Sequence, residues 1–205
     1  MTYTELHITL SNVKLARPYR MLARAASSAE TGRRIVSAML TLFVERPYDC
    51  ITLDEVAAHA GVTRQTVIRR FESKEGLLAA AVEDGRARVA AQRFEAPVGD
   101  VRGAVRNLFD HYEEWASVAL RLLEQEERVA VLAPVTRDAR QLHLQWVERT
   151  FAPFLRGGGP MRLAQLATLT DVYVWKLLRR DQQLSRCAAE ECLVEMIEAM
   201  CVGGE

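Results

Sequence analysis

The sequence predicts an all-α fold of about nine helices, and three observations lead there. No stretch alternates apolar and polar residues at period two over a useful length. From Ser28 onward, apolar residues recur at spacings of three and four, as one face of a helix requires. The breaks between these runs fall on glycine, proline or capping residues. With 205 residues, 49% of them hydrophobic and 26% charged, the chain can bury a sizeable core and is not composed like a disordered one. No apolar run approaches the ~20 residues of a membrane span.

Residues 1–28 lack a clean period and carry Lys14, Arg17, Arg20 and Arg24 against one acid, Glu5. They read as a flexible N-terminal arm, either a disordered tail or, alternatively, a short helix or an arm touching DNA phosphate. Ile35, Ala38, Met39, Leu42 and Phe43 then mark one face of a helix from about Glu30 to Glu45, which Pro47 ends. Thr52-Leu53-Asp54-Glu55 has the form of a capping box. It predicts a short helix to Ala60, with Gly61 in the tight turn that follows. Thr63 caps a helix reaching Phe71, and Ser73 caps a long one from Lys74 to about Arg93, in which Gly76 is tolerated. Pro97, Gly99 and Asp100 mark a break. Five further helices are expected, at roughly 100–114, 116–127, 134–156, 161–180 and 186–201. Pro134, the run Gly157–Gly159 with Pro160, and the segment Asp181 to Ser185 separate the last three.

The formal net charge of zero is an average. Residues 1–93 hold 14 Lys and Arg against 10 Asp and Glu, and the remainder holds 13 against 17. A basic first half beside an acidic second is compatible with a local site for a polyanion. The four cysteines, Cys50, Cys187, Cys192 and Cys201, form no C-x-x-C pair and no zinc spacing, so small reduced residues, mostly buried, are expected. No metal and no cofactor is implied. Glu5 and His7 interrupt the place where a signal peptide would be apolar, and a cytoplasmic location is expected.

The stretch Thr52 to Leu77 carries the chemistry. Two short helices flank Gly61, the arrangement of a DNA-reading helix-turn-helix. Val56, Ala57 and Ala60 line one side of the first helix, and Val62, Val67 and Phe71 oppose them from the second. At about 100° per residue, Gln65, Ile68 and Arg69 then point away from that contact. Arg64 and Thr66 lie near the N-terminus of the second helix, the end that reaches base edges. Arginine can donate two bonds to guanine or bind phosphate, and glutamine can pair with adenine. Threonine can bond a base or meet a thymine methyl. Thr52 and Lys74 stand at helix N-termini, where backbone N–H groups favour phosphate. Residues 63–71 hold Arg64, Arg69 and Arg70 and no acid. The bland alternative is a solvated basic face on a small helical domain.

Residues 31–78 resemble the N-terminal domain of the TetR family of bacterial transcriptional regulators. The resemblance rests on Ile51-Thr52-Leu53-Asp54-Glu55-Val56-Ala57, then Ala60-Gly61-Val62-Thr63, then Thr66-Val67, Arg69 and Phe71, and Ser73-Lys74-Glu75 with Leu77. The segment Thr170 to Ser185 is similar to the eighth helix of many members. Two positions depart: Ile68 stands where most members have tyrosine, and Arg70 where histidine is common.

The resemblance implies a DNA-binding domain at residues 29–74 and a ligand-binding and dimerisation domain at 75–205. It implies a repressor that binds a palindromic operator as a dimer and is released by a small-molecule inducer. The expected DNA contacts are Thr52, Thr63, Arg64, Gln65, Thr66, Ile68, Arg69, Arg70 and Lys74, with Thr52 and Lys74 on phosphate.

For the inducer, expected to be largely apolar, the aromatic residues of the second half are the candidates. The residues expected at its pocket are Tyr112, Trp115, Ala119, His143, Trp146 and Tyr173. They suit a plain core equally well. The last two helices, with Leu163, Leu166, Leu169, Val172, Tyr173, Trp175, Leu177, Leu193, Met196, Ile197, Met200 and Cys201, read as a homodimer surface. An enzyme is not expected: there is no G-x-S-x-G, no H-E-x-x-H and no phosphate-binding glycine loop. The modest charge of residues 1–93 also speaks against a non-specific architectural DNA binder.

Overall fold

The computed structural model describes residues 25–156 and 158–202, and every regular element among them is helical. The first helix, α1, covers residues 25–45. It is followed by a single 3-10 turn, Tyr48–Cys50, and by α2 (Leu53–Ala60), α3 (Arg64–Phe71) and α4 (Lys74–Arg93). The rest comprises α5 (Val101–Gln125), α6 (Leu132–Thr150), α7 (Ala152–Leu155), α8 (Gly159–Leu169), α9 (Val172–Lys176) and α10 (Arg186–Val202). A π-helical turn, Leu177–Asp181, prolongs α9. Of the expected N-terminal arm, residues 1–24 lie outside the described residues and 25–28 already belong to α1, which starts before the expected Glu30.

The caps fall where the sequence put them. The Thr52 hydroxyl accepts from the Glu55 backbone while the Glu55 carboxylate takes the Thr52 N–H at 2.9 Å, a complete capping box. Thr63 and Ser73 accept from the backbones of Thr66 and Gly76. Gly61 closes α2 with φ of 63°, a left-handed conformation that a Cβ opposes. Gly76 is more than tolerated: a Cβ there would stand 2.2 Å from the Phe71 carbonyl oxygen, so the close seating of α4 on the end of α3 requires glycine.

The second half differs from expectation in its breaks. The helices expected at 100–114 and 116–127 are one helix, α5, because Val101, Ala104, Val105, Leu108, Phe109, Tyr112 and Ala116 form one unbroken buried stripe. The helix expected at 134–156 turns at Phe151 into the short α7. The one expected at 161–180 breaks at Thr170, and Asp171 recaps α9 by accepting from the Tyr173 N–H at 2.8 Å.

Two apolar clusters hold the chain. The first joins α1 to α4 through Ile35, Met39, Phe43, Ile51, Val56, Val67 and Leu77, and takes Val129 and Leu132 from beyond α5. The second joins α5, α6, α8, α9 and α10 through Phe109, Tyr112, Trp146, Phe151, Trp175, Leu193 and Ile197. No linker separates them at residue 75: α4 leaves the first cluster and reaches the second without a break. The end of α5 clamps the two further. The Gln125 side chain, buried, accepts from the Tyr48 N–H at 2.8 Å, and Arg121 donates to the Val44 carbonyl at 2.9 Å.

The apolar surplus of the last helices is spent mainly inside the chain. Leu166, Val172, Trp175, Leu193 and Ile197 are buried in the second cluster and cannot form the expected dimer face. Met161, Tyr173 and Leu177 remain exposed. All four cysteines are free; against expectation none is fully buried, and Cys50 and Cys187 are exposed. The reason lies in the face each occupies, since Cys187 sits on the outer side of α10 beside exposed Ala188 and Glu191.

A candidate nucleic-acid interface and a cavity in the helical body

The interface is built by α2 crossing α3. Val56, Ala57 and Ala60 are buried on α2 and Val67 on α3, with Val62 and Phe71 half-buried around them. That contact fixes which side of α3 faces out. Arg64, Gln65 and Arg69 are exposed, and Thr66 and Ile68 are half-buried at the edge. Arg64 lies 3.6 Å from Asp54 on α2, an exposed ion pair of the kind that contributes little and exchanges readily for another anion. Arg69 has no hydrogen bond or ion pair among the described residues. The Thr63 and Thr66 hydroxyls bond one another at 3.0 Å at the start of α3.

Two residues behave otherwise than expected. Arg70 is turned away from this face: its guanidinium donates to the Ser28 hydroxyl on α1 at 2.9 Å and lies over the Phe71 ring. It braces α3 on α1 and leaves the expected DNA face. Lys74 is half-buried, donating to the Tyr48 and Ile51 carbonyls at 3.0 Å each, with its ammonium over the Tyr48 ring. Two of its three N–H groups therefore fix the turn that positions Thr52, which leaves one to meet a phosphate. The Thr52 hydroxyl is likewise engaged, donating to Glu55 at 2.7 Å. That bond, the Thr52 N–H and Arg46 hold the Glu55 carboxyl below its usual range.

In the body, a cavity of two adjoining lobes, of about 150 and about 570 Å³, lies between α4, α5, α6, α8 and α9. Arg93, His111, Ala119, Leu122, Ala139 and His143 border both lobes. Of the residues expected there, Trp115 lines the first lobe, Tyr112 and Tyr173 the second, and Ala119 and His143 both. Trp146 is fully buried core behind the cavity wall, stacked with His143. Arg93 and His111 escaped the sequence reading. The signal for Arg93 was its place on the α4 stripe that also carries Val82 and Val89, where a cation is out of pattern.

Arg93 is 4% exposed, lies over the Trp146 ring at 4.1 Å and donates to His143 Nδ1 at 3.0 Å. An arginine can only donate, so Nδ1 accepts and the His143 proton sits on Nε2, within 3.1 Å of the Ala167 carbonyl. Burial and the Arg93 charge push the His143 pKa down to about 4 and that of His111 to about 3. Both rings are neutral at pH 7.

Among the described residues there is no cluster of side chains suited to a metal ion, and no helix is long and apolar enough to cross a membrane.

The described residues form an all-α architecture with a helix-turn-helix near its start, and comparison with known proteins shows what that part is similar to. Residues 35–81 match the family model of the bacterial regulatory proteins of the tetR family. The chain is 36% identical over 86 residues to a helix-turn-helix transcriptional regulator of Mycobacterium bovis, a match spanning 42% of this chain and 44% of that one. The chain thus spans less than half the length of that relative. In fold it is similar to a transcriptional regulator from Rhodococcus, with a TM-score of 0.68 at 18% identity, covering 84% of this chain and 96% of that one. A tetR-family regulator from Streptomyces coelicolor gives a TM-score of 0.64 at 20% identity, covering 86% and 84%. Residues 35–81 are thus similar to the DNA-binding domain of the tetR family, and the whole chain shares the fold of regulators of that kind.

Proposed function

We propose that the chain is a ligand-responsive repressor of the cytoplasm that binds a palindromic operator as a homodimer. The observation that carries the ligand response is the run of α4. Its first residue, Lys74, holds the turn ahead of α2, and its last, Arg93, borders the cavity. At 1.5 Å per residue the two ends stand roughly 30 Å apart on one rod. A small molecule that favours one tilt of this rod changes the separation of the two α3 helices and so the operator affinity.

On the operator, Arg64, Gln65, Thr66 and Arg69 meet base edges and Ile68 presses a thymine methyl or a sugar. Thr52 and Lys74, with the N-terminus of α2, meet phosphate, and Thr63 contributes at the start of α3. Dimerisation through the outer faces of α8 and α10, where Met161, Ala164, Ala188 and Ala199 are exposed, would set two α3 helices about 34 Å apart.

The test is binding to duplexes from the region beside the chain's own gene, against scrambled duplexes at one salt concentration. A preference for one duplex, carried by a particle of dimeric mass, supports the reading. Equal binding to every duplex makes the chain a non-specific binder and overturns it.

A further inference from the structure

Arg93 lines both lobes of the cavity, is 4% exposed, and has no carboxylate partner among the described residues. Its Nε–H has no acceptor at all. A buried cation is ordinarily paired, because taking it out of water costs far more than packing returns. Here its neighbours are two aromatic faces and a neutral histidine. The other charges at the cavity are already satisfied. Arg86 pairs with Glu83 at 2.8 Å and Arg140 with Glu126, and Asp171 caps α9. Around Arg93 the first lobe is apolar, with Val82, Val89, Trp115, Val118 and Leu122 in its wall.

We propose that the cavity takes an organic monocarboxylate with an apolar body, its carboxylate paired with the Arg93 guanidinium. The proposal rests on the reading that this cavity holds the effector. Among the described residues one cation without a carboxylate partner stands in this apolar wall, and it matches one negative charge; a phosphate would bring more charge than Arg93 alone can meet. The guanidinium offers parallel N–H donors to both carboxylate oxygens, the geometry in which arginine binds carboxylates most strongly. Its bond to His143 reaches the Ala167 carbonyl where α8 ends, so filling the site pulls on α4 and α8 together.

The test titrates the whole chain, without DNA, with octanoate, decanoate and phenylacetate and with the primary amide of each. Tryptophan fluorescence reports binding, since Trp115 is in the wall. At least one acid is expected to bind at least tenfold more tightly than its amide. Arg93→Met is expected to erase that preference, so that acid and amide bind alike. If no acid outbinds its amide, absence of binding included, the proposal is overturned; this comparison uses the natural chain and does not depend on any variant folding. Operator release is read separately. If an acid shows the tenfold preference yet leaves DNA bound at saturation, the release reading fails and the carboxylate site stands. If acid and amide bind equally and both release DNA, the release reading stands and the carboxylate site fails.

Discussion

His143 shows how one buried cation sets the state of its surroundings. Because Arg93 takes Nδ1, the ring is committed to its Nε2–H form and cannot accept a second proton without meeting the guanidinium. Its pKa is lowered on folding from 6.5 to about 4, and that of His111 from 6.5 to about 3. The unfolded chain therefore binds protons that the folded chain refuses, so stability is full above pH 6.5 and falls as the pH drops below it. At pH 5 each histidine costs roughly 2 kcal/mol. Thermal melting is expected at a clearly lower temperature at pH 5 than at pH 7, and His143→Gln should flatten that slope; a midpoint that ignores pH would show that the rings titrate freely.

On the other face the residues divide by role. Gln65→Ala should relax sequence preference at about 1–3 kcal/mol for the lost base contact, read by competition between operator variants. Lys74→Ala should weaken every sequence alike, and it should also lower the melting temperature, because Lys74 holds the Tyr48 and Ile51 carbonyls.

The junction of α3 and α4 is a tight element boundary. Glu72 has φ of 66° and ψ of −47°, and the Ser73 N–H bonds the Phe71 carbonyl across it at 2.7 Å. This is a γ-turn in its strained hand. Glu72→Gly should raise the melting temperature by relieving it, and Gly76→Ala should destabilise by about 1–3 kcal/mol because the Phe71 carbonyl must move. Both are read by thermal or denaturant unfolding.

Elements of this kind explain what the sequence made legible. Thr52, Thr63, Ser73 and Gly61 act on backbone groups within three or four residues of themselves, so the helices they bound could be read locally. The turn at Phe151 did carry a local signal, Pro153 in the first turn of α7, which cannot continue the hydrogen bonding of α6; the break at Thr170 has no proline or glycine and arises from packing, as in the buried bond from the Tyr112 hydroxyl to the Thr170 carbonyl at 2.9 Å. Arg70, Arg93 and His111 were misjudged or missed for a related reason. Which way a long polar side chain turns is set by distant partners such as Ser28 and His143.

At the scale of the whole molecule, the division of charge becomes a division of labour between a head that carries α3 and an acidic body. The two share a core through Val129 and Leu132 and a polar joint between Tyr48 and Gln125. Tyr48 continues to Glu75, its hydroxyl 3.3 Å from the carboxylate, so α5 and the start of α4 meet at one residue. Gln125→Ala should leave operator affinity near that of the natural chain and shrink the ligand's effect on it by about fivefold or more. Anisotropy titrations with and without ligand measure both quantities. The apolar residues of α8 to α10 looked like a surplus for a partner because periodicity reports burial but not what does the burying.

The central claim is that the outer face of α3 reads sequence. Footprinting on DNA from the region beside the chain's own gene tests it most directly, with the natural chain and with Arg69→Ala side by side. The expected result is two protected half-sites one helical turn apart, protected by the natural chain and lost or blurred with the variant. Protection that is uniform along the fragment, or unchanged by the variant, would contradict it.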